Sequence, residues 1–287
     1  MKISVLTASY NYENYISETI ESVLNQTYKD FEYIIFDDGS TDKSLEIIEK
    51  YAQKDSRIKI YSHPDKKNHG LIQTLKEGIE KCNGDYIVFI ENDDIIQPFY
   101  LEEKIKIAKK HPDAAVIYNN IIPFGDNERV SKTIKHLKTC AKLVNKEKFD
   151  YKELLGVNII PTFSCVMAKK EVLKTIDFSF PIEKCFDWYL WNNIIQNYKI
   201  VYFDKPLTKF RLHNKSMSCK KNKKSVYCAL LSLSQRRYNN KFLYKIFESY
   251  KSLSRIEKIF RPICVKLDNW IYKRLYLPKT ISVIKES

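Results

Sequence analysis

Residues 86–94 read Tyr-Ile-Val-Phe-Ile-Glu-Asn-Asp-Asp, an unbroken apolar run that passes directly into four acidic or amide side chains. The run is short, β-branched and aromatic, and Asn83-Gly84 enters it as a turn, so it reads as a buried strand. The same shape occurs twice upstream. Residues 31–36 (FEYIIF) run into Asp37-Asp38-Gly39-Ser40, and residues 3–6 (ISVL) lead toward Ser9-Tyr10-Asn11.

Between these runs the apolar spacing lengthens to three or four. Ile16, Ile20, Val23 and Leu24 mark one helix, and Leu45, Ile47 and Ile48 a second with Ser40 or Thr41 as its N-cap. Leu71, Leu75 and Ile79 mark a third, Leu101, Ile105 and Ala108 a fourth, and residues 57–61 and 114–118 add strands. This β-α-β alternation predicts an α/β fold with a mainly parallel, Rossmann-like sheet, right-handed crossovers and flanking helices. Ligands of such sheets bind beyond the carboxyl ends of the strands, where all three polar clusters fall. Residues 120–160 read as irregular. A strand is expected at 163–168, a helix around 187–195 and strands at 200–203 and 208–212, after which the chain turns basic and helical in pattern.

The chain has 287 residues, 44% apolar and 13% aromatic, enough for a substantial core and without repeats or low-complexity segments. Its seven cysteines are odd in number and widely spaced, with no Cys-x-x-Cys pair, which argues against a disulfide framework or zinc knot. With no segment near the roughly 20 apolar residues that span a bilayer, a cytoplasmic location is expected. Charge is uneven: residues 219–287 hold 17 Lys/Arg against four acids, so they account for thirteen of the fourteen net positive charges. Basicity of this kind raises nucleic-acid binding as an alternative, but the cations gather after the polar clusters and no RNP or zinc-finger pattern is present. A nucleotidyltransferase would need a glycine- and basic-rich loop near the first strand, and residues 8–15 offer none.

Glu91, Asn92, Asp93 and Asp94 form a cluster of hard oxygen donors suited to Mg2+ or Mn2+, with a substrate diphosphate completing the shell. Neither a Gly-x-x-x-x-Gly-Lys-Ser/Thr loop nor a Gly-x-Gly-x-x-Gly loop is present to cradle phosphates.

Over roughly residues 1–218 the chain resembles the family-two glycosyltransferases of GT-A fold. The motifs that carry the resemblance run in order: Ala8-Ser9-Tyr10-Asn11, Ser22-Val23-Leu24-Asn25-Gln26-Thr27-Tyr28, Asp30-Phe31-Glu32 and Asp37-Asp38-Gly39-Ser40-Thr41-Asp42. They continue with Asn68-His69-Gly70, Glu91-Asn92-Asp93-Asp94, Asp187-Trp188-Tyr189-Leu190-Trp191 and Phe210-Arg211-Leu212-His213-Asn214-Lys215-Ser216. The resemblance implies an inverting, metal-dependent hexosyl- or N-acetylhexosaminyl-transferase using a nucleotide sugar, with a UDP-sugar first. It implies that Ala8, Ser9, Tyr10 and Asp38 hold the nucleobase and ribose, and that Asp93 sits near the ribose and diphosphate. Asp94 is then the principal metal ligand, Arg211 and His213 approach the diphosphate with His213 touching the metal, and Asp187 is the general base. Three positions depart from the family pattern: Glu91 replaces an aspartate, Ala8 a proline or threonine, and Phe186 an acid before the base. Those departures raise a degenerate, non-catalytic relative as an alternative, against which stand Asp38, Asp93, Asp94, Asp187 and His213. The implied acceptor is a saccharide or lipid-linked saccharide in surface glycan synthesis.

Residues 1–218 are thus expected to form the catalytic domain and 219–287 a basic amphipathic helical region. Leu243, Ile246, Phe247, Tyr250, Leu253 and Ile256 recur at helical spacing with Lys245, Lys251 and Arg255 between them. Two fates stay open for that stripe. It docks peripherally on the anionic inner face of the membrane, or it packs on the catalytic domain or a second copy in a homo-oligomer.

Overall fold

The computed structural model describes residues 1–144, 158–179, 186–195, 197–214 and 283–286. Strand and helix alternate through the first third of the chain. β1 (Ile3–Ser9), α1 (Ile16–Leu24), β2 (Phe31–Asp37), α2 (Ser44–Ala52), β3 (Ile58–Ser62), α3 (Leu71–Lys81) and β4 (Tyr86–Phe89) follow one another. After the acidic cluster come the short β5 (Ile95–Ile96), α4 (Tyr100–Lys110), β6 (Ala114–Gly125) and α5 (Asn127–Val144). A 3-10 turn (Phe163–Cys165) leads into β7 (Val166–Lys169) and α6 (Lys170–Leu173). Then come α7 (Phe186–Ile195), β8 (Lys199–Leu212) and β9 (Val283–Glu286).

The strands form one sheet in the order β3-β2-β1-β4-β7-β6-β8-β5, with β9 also on β8. β1 to β4 are parallel, as are β6 with β8 and β8 with β9, while β7 and β5 run antiparallel to their partners. The register pairs Ser9 with Asp37 and Leu6 with Phe89, so the polar clusters after β1, β2 and β4 emerge at one edge. Strand alternation splits the core between two faces. Leu6, Ile34, Phe89, Leu75, Ile79 and Trp191 pack on one face; Val5, Ile35, Val88, Ile20, Ile48 and Ile105 pack on the other. Each such buried side chain contributes about 1.5–3 kcal/mol, which holds the edge loops on a rigid frame.

Several expectations need correction. Residues 120–160 are not irregular throughout: β6 extends to Gly125, and α5 fills Asn127–Val144. Its apolar Val130, Ile134 and Leu137 are thinly spread among Lys132, Lys135 and Lys138, which hides the helical stripe. α2 begins at Ser44, without a side-chain cap from Ser40 or Thr41. Those hydroxyls serve the loops instead, since Ser40 Oγ donates to Asp37 Oδ1 at 2.6 Å and Asn11 Nδ2 donates to Thr41 Oγ1 at 3.2 Å. Residues 163–165 form a 3-10 turn before β7, and the two expected late strands are one, β8. In the 219–287 region, 283–286 is strand rather than helix; residues 219–282 lie outside the described residues.

Lys104 of α4 is wholly buried, and its amine donates to the carbonyls of Ile117 at 2.9 Å and Cys165 at 2.6 Å. It thereby ties β6 to the 3-10 turn behind the acidic cluster. Burial holds this amine well below its ordinary value.

Candidate active site

Two groups of side chains stand at the carboxyl edge of the sheet. The first gathers on the loops after β1, β2 and β3. Asp38 follows β2, is buried, and donates its backbone N–H to Ser9 O at 2.8 Å. Its carboxylate accepts from Asn68 Nδ2 at 2.9 Å, His69 N at 2.7 Å and Gly70 N at 3.0 Å. The segment before α3 is thereby wrapped onto Asp38. Asn11 takes a left-handed φ of 57°, and its Oδ1 accepts from Thr41 N at 2.8 Å, which closes the β1 loop onto the β2 loop. Tyr10 stands 40% exposed beside it. The side chain of Ser9 is buried, and the Ala8 carbonyl accepts from Asn92 Nδ2 at 2.6 Å. Ala8, Ser9, Tyr10 and Asp38 are therefore brought together, with Tyr10 offering the open ring face.

The second group is the acidic cluster. Thr19 of α1 donates its hydroxyl to the carbonyls of Asn92 and Asp94, both at 2.9 Å, and so fixes the turn after β4. Asp94 is fully buried; its Oδ1 accepts from Arg211 N at 2.9 Å and its Oδ2 from Thr162 Oγ1 at 3.3 Å. Asp93 points the other way, with Oδ2 2.7 Å from His213 Nε2. Glu91 receives the Thr162 hydroxyl and donates its N–H to Ser164 Oγ at 2.9 Å. Burial, then the Asp93 charge, pushes the Glu91 carboxyl up to about 8, and burial with Asp93 and Glu91 pushes Asp94 well above the carboxylate range. Three acids packed this closely form a charge excess that a cation relieves.

Arg211 arrives from the end of β8, and two of its nitrogens are engaged within the protein. Nε donates to Asp93 O at 2.8 Å and Nη2 to Glu18 Oε2 at 2.9 Å, while the guanidinium lies 4.9 Å from the Tyr15 ring and 4.6 Å from Phe124. His213 packs 4.7 Å from Tyr15 and edge-on to Tyr12 at 6.1 Å. Burial and then Asp93 raise the Tyr12 phenol above its ordinary value, so this ring shares the acidic cluster's field. The motif reading missed Tyr12 and Tyr15. A signal was available in the Tyr-x-x-Tyr spacing, which puts two rings on one side of the turn into α1.

Asp93 and His213 offer a hard oxygen and an imidazole nitrogen. Among the described residues no three His, Cys, Asp or Glu side chains are placed to hold a metal ion together. This donor set fits a Mn2+ or Mg2+ that keeps open positions for substrate oxygens. Asp94 is turned inward, with Oδ1 accepting from Arg211 N and Oδ2 3.3 Å from the hydroxyl that Thr162 shares with Glu91.

Asp187 stands in the first turn of α7, whose Phe186, Trp188 and Trp191 are buried. Asn158 Nδ2 donates to its Oδ2 at 2.8 Å, and burial pushes the carboxyl up to about 6 against the lowering pull of that bond and of nearby backbone N–H groups. The Asp187 charge helps to raise Glu91, so the two groups lie within electrostatic reach. Asn158 is a second residue the sequence did not disclose, because it meets Asp187 across 29 positions.

The family model described as glycosyl transferase family 2 matches residues 4–177. An uncharacterized glycosyltransferase of Methanocaldococcus jannaschii is 30% identical over 254 residues, 85% of this chain and 84% of that protein. Among solved structures, S. aureus TarS 1–349 in complex with UDP-GlcNAc aligns over 96% of this chain and 77% of its own at TM-score 0.65 and 20% identity. Glucosyl-3-phosphoglycerate synthase of Mycobacterium tuberculosis, in complex with Mn2+, UDP and phosphoglyceric acid, aligns over 80% and 78% at TM-score 0.55 and 18% identity. At such identities the likeness is one of fold.

Proposed function

The chain belongs to glycosyltransferase family 2 and has the GT-A fold, and on that premise we propose that it transfers a sugar from a UDP-sugar to a saccharide or lipid-linked saccharide hydroxyl with inversion. In this reading the base and ribose lie between Tyr10 and the Asn68–Gly70 segment folded on Asp38. Asp93 and His213 hold Mn2+ or Mg2+, which when bound offsets the charge that develops on the departing diphosphate. Asp94 and Arg211, expected from the family pattern as principal metal ligand and diphosphate contact, become the struts that aim Asp93 and His213. Asp187 accepts the acceptor hydroxyl's proton as the oxygen bonds to the anomeric carbon and the diphosphate leaves. A single displacement of this kind needs one base and no nucleophilic carboxylate.

The observation that carries the reading is the Asp93–His213 contact at 2.7 Å beside two further buried acids. A thermal-shift screen of UDP, GDP, CDP and TDP, each with and without Mn2+, tests it. UDP should stabilise the protein chiefly when Mn2+ is present, and Asp93→Asn and His213→Ala should each lose the metal-dependent part. Chelation should abolish sugar transfer. Equal stabilisation by UDP in excess EDTA would remove the metal from the mechanism, and silence of all four nucleotides would remove the donor class.

A further inference from the structure

His63 follows β3 and is 1% exposed, yet it belongs to neither the acidic cluster nor the base. Its Nε2 lies 3.1 Å from Thr74 Oγ1 and 3.2 Å from Asp38 Oδ1, and its Nδ1 lies 3.2 Å from Glu77 Oε2. Thr74 donates its own hydroxyl proton to Gly70 O at 2.9 Å, so toward His63 it accepts, and Nε2 carries the hydrogen. The ring is stacked on His69 at 4.2 Å and tilted against Phe36 at 4.9 Å. An apolar ring would fill the space between Phe36 and His69 without the cost of burying two nitrogens. What the imidazole adds is a hydrogen bond from Nε2 to Thr74, whose own hydroxyl holds Gly70 O, beside the Asp38 carboxylate that Asn68, His69 and Gly70 also hold.

We infer that His63 is a positioning residue for the donor site: through Thr74 it pins Gly70, and with it the Asn68–Gly70 segment folded on Asp38, in the shape that receives the nucleotide. The inference rests on the donor assignment above. His63 lies just after β3, and its contacts are with Thr74, Asp38 and Glu77, not with Asp187, Asp93 or His213. Its influence therefore falls on donor binding and spares the chemical step, a split that a merely structural role does not produce.

The test uses the full chain and the nucleoside diphosphate selected in the screen above, with Mn2+. His63→Phe keeps the ring between Phe36 and His69 and removes both polar contacts. His63→Gln returns a donor without the ring. Thr74→Val keeps the shape, removes the hydroxyl that links Nε2 to Gly70 O, and keeps the question answerable if His63→Phe does not fold. Loss of this bond is expected to raise the nucleotide Kd and the donor KM about tenfold in His63→Phe and about threefold in Thr74→Val, with kcat at saturating donor within about twofold. The acceptor KM should stay at the wild-type value, and His63→Gln should recover part of the loss. Folded His63→Phe with wild-type nucleotide Kd overturns the inference, as does a fall in kcat at unchanged donor KM. So does Thr74→Val indistinguishable from wild type, should His63→Phe not fold. A wild-type protein that binds none of the four nucleotides instead overturns the donor assignment itself.

Discussion

The Asp187 carboxyl, pushed up to about 6 by burial, ties activity and stability to one proton. A general base works only when ionised, so kcat should fall about tenfold per pH unit below about pH 6 and level off above it. Stability runs the opposite way. A carboxyl whose folded value is raised favours the fold fully below its unfolded value of about 3.9, and that advantage is lost as pH rises through about 6. At neutral pH the ionised, desolvated group therefore costs up to about 3 kcal/mol. Asp187→Asn should lower kcat by about 100-fold or more and leave the nucleotide Kd unchanged. The same variant should melt a few degrees higher than wild type at pH 8 and no higher at pH 4, as read by calorimetry at both values. Transfer at near wild-type rates would place the base elsewhere. Asp38 and Asp93 could be singled out in the sequence because acids directly after apolar strands stand out, whereas Asp187, which opens a helix, and His213 were marked only by the ordered family motifs. Asn158, Tyr12 and His63 were not, because each acquires its setting from a partner far along the chain.

At the scale of elements, one turn couples the loops after β2 and β3. Gly39, next to Asp38, has φ +72°, and a Cβ there would lie 2.6 Å from the Lys67 carbonyl carbon and 2.8 Å from Lys66 O. Both obstacles are backbone and cannot swing aside. Gly39→Ala combines this clash with a left-handed conformation that alone costs about 1–2 kcal/mol, so a melting point lower by at least about 4 °C is expected. Because the displaced segment is the one folded on Asp38, the donor KM should rise while the acceptor KM holds; an unchanged donor KM would show that the two loops act separately. The strands that carry these loops could be read directly, since β1, β2 and β4 are buried at nearly every residue and only Ser4, Thr7 and Glu32 interrupt their apolar runs. The antiparallel insertion of β7 between β4 and β6 could not, because a four-residue apolar strand pairs equally well in either direction until the rest of the sheet selects one. Nor could α5 be recognised, its apolar stripe being diluted by lysines.

Across the whole molecule, packing returns the end of the chain to the sheet while charge sets the 219–287 region apart. Val283 to Glu286 pair with Ile200 to Phe203 along β8, on the side where β5 covers only Thr208 and Lys209. Deleting everything after residue 218 would therefore strip a strand from β8 and expose an edge, and the loss of solubility that follows would say nothing about membranes. No helix among the described residues is long and apolar enough to cross a bilayer. We propose that the basic stretch attaches the enzyme peripherally to an anionic membrane surface, where a lipid-linked acceptor would be met. The discriminating change is one of charge alone. Replacing Lys220, Lys221, Lys223 and Lys224 with glutamine leaves the β9 residues untouched and removes four cations, each worth about 1 kcal/mol near an anionic leaflet. Partitioning onto phosphatidylglycerol vesicles should fall by about 100-fold to 1000-fold, with an unchanged melting point and unchanged transfer to a soluble acceptor. The wild-type interaction should also weaken steeply with added salt and be absent on phosphatidylcholine, because screening acts on exposed charge and spares apolar contact. Equal binding of both proteins, or binding indifferent to salt, would assign the cations to solvation and leave the apolar stripe to pack within the protein.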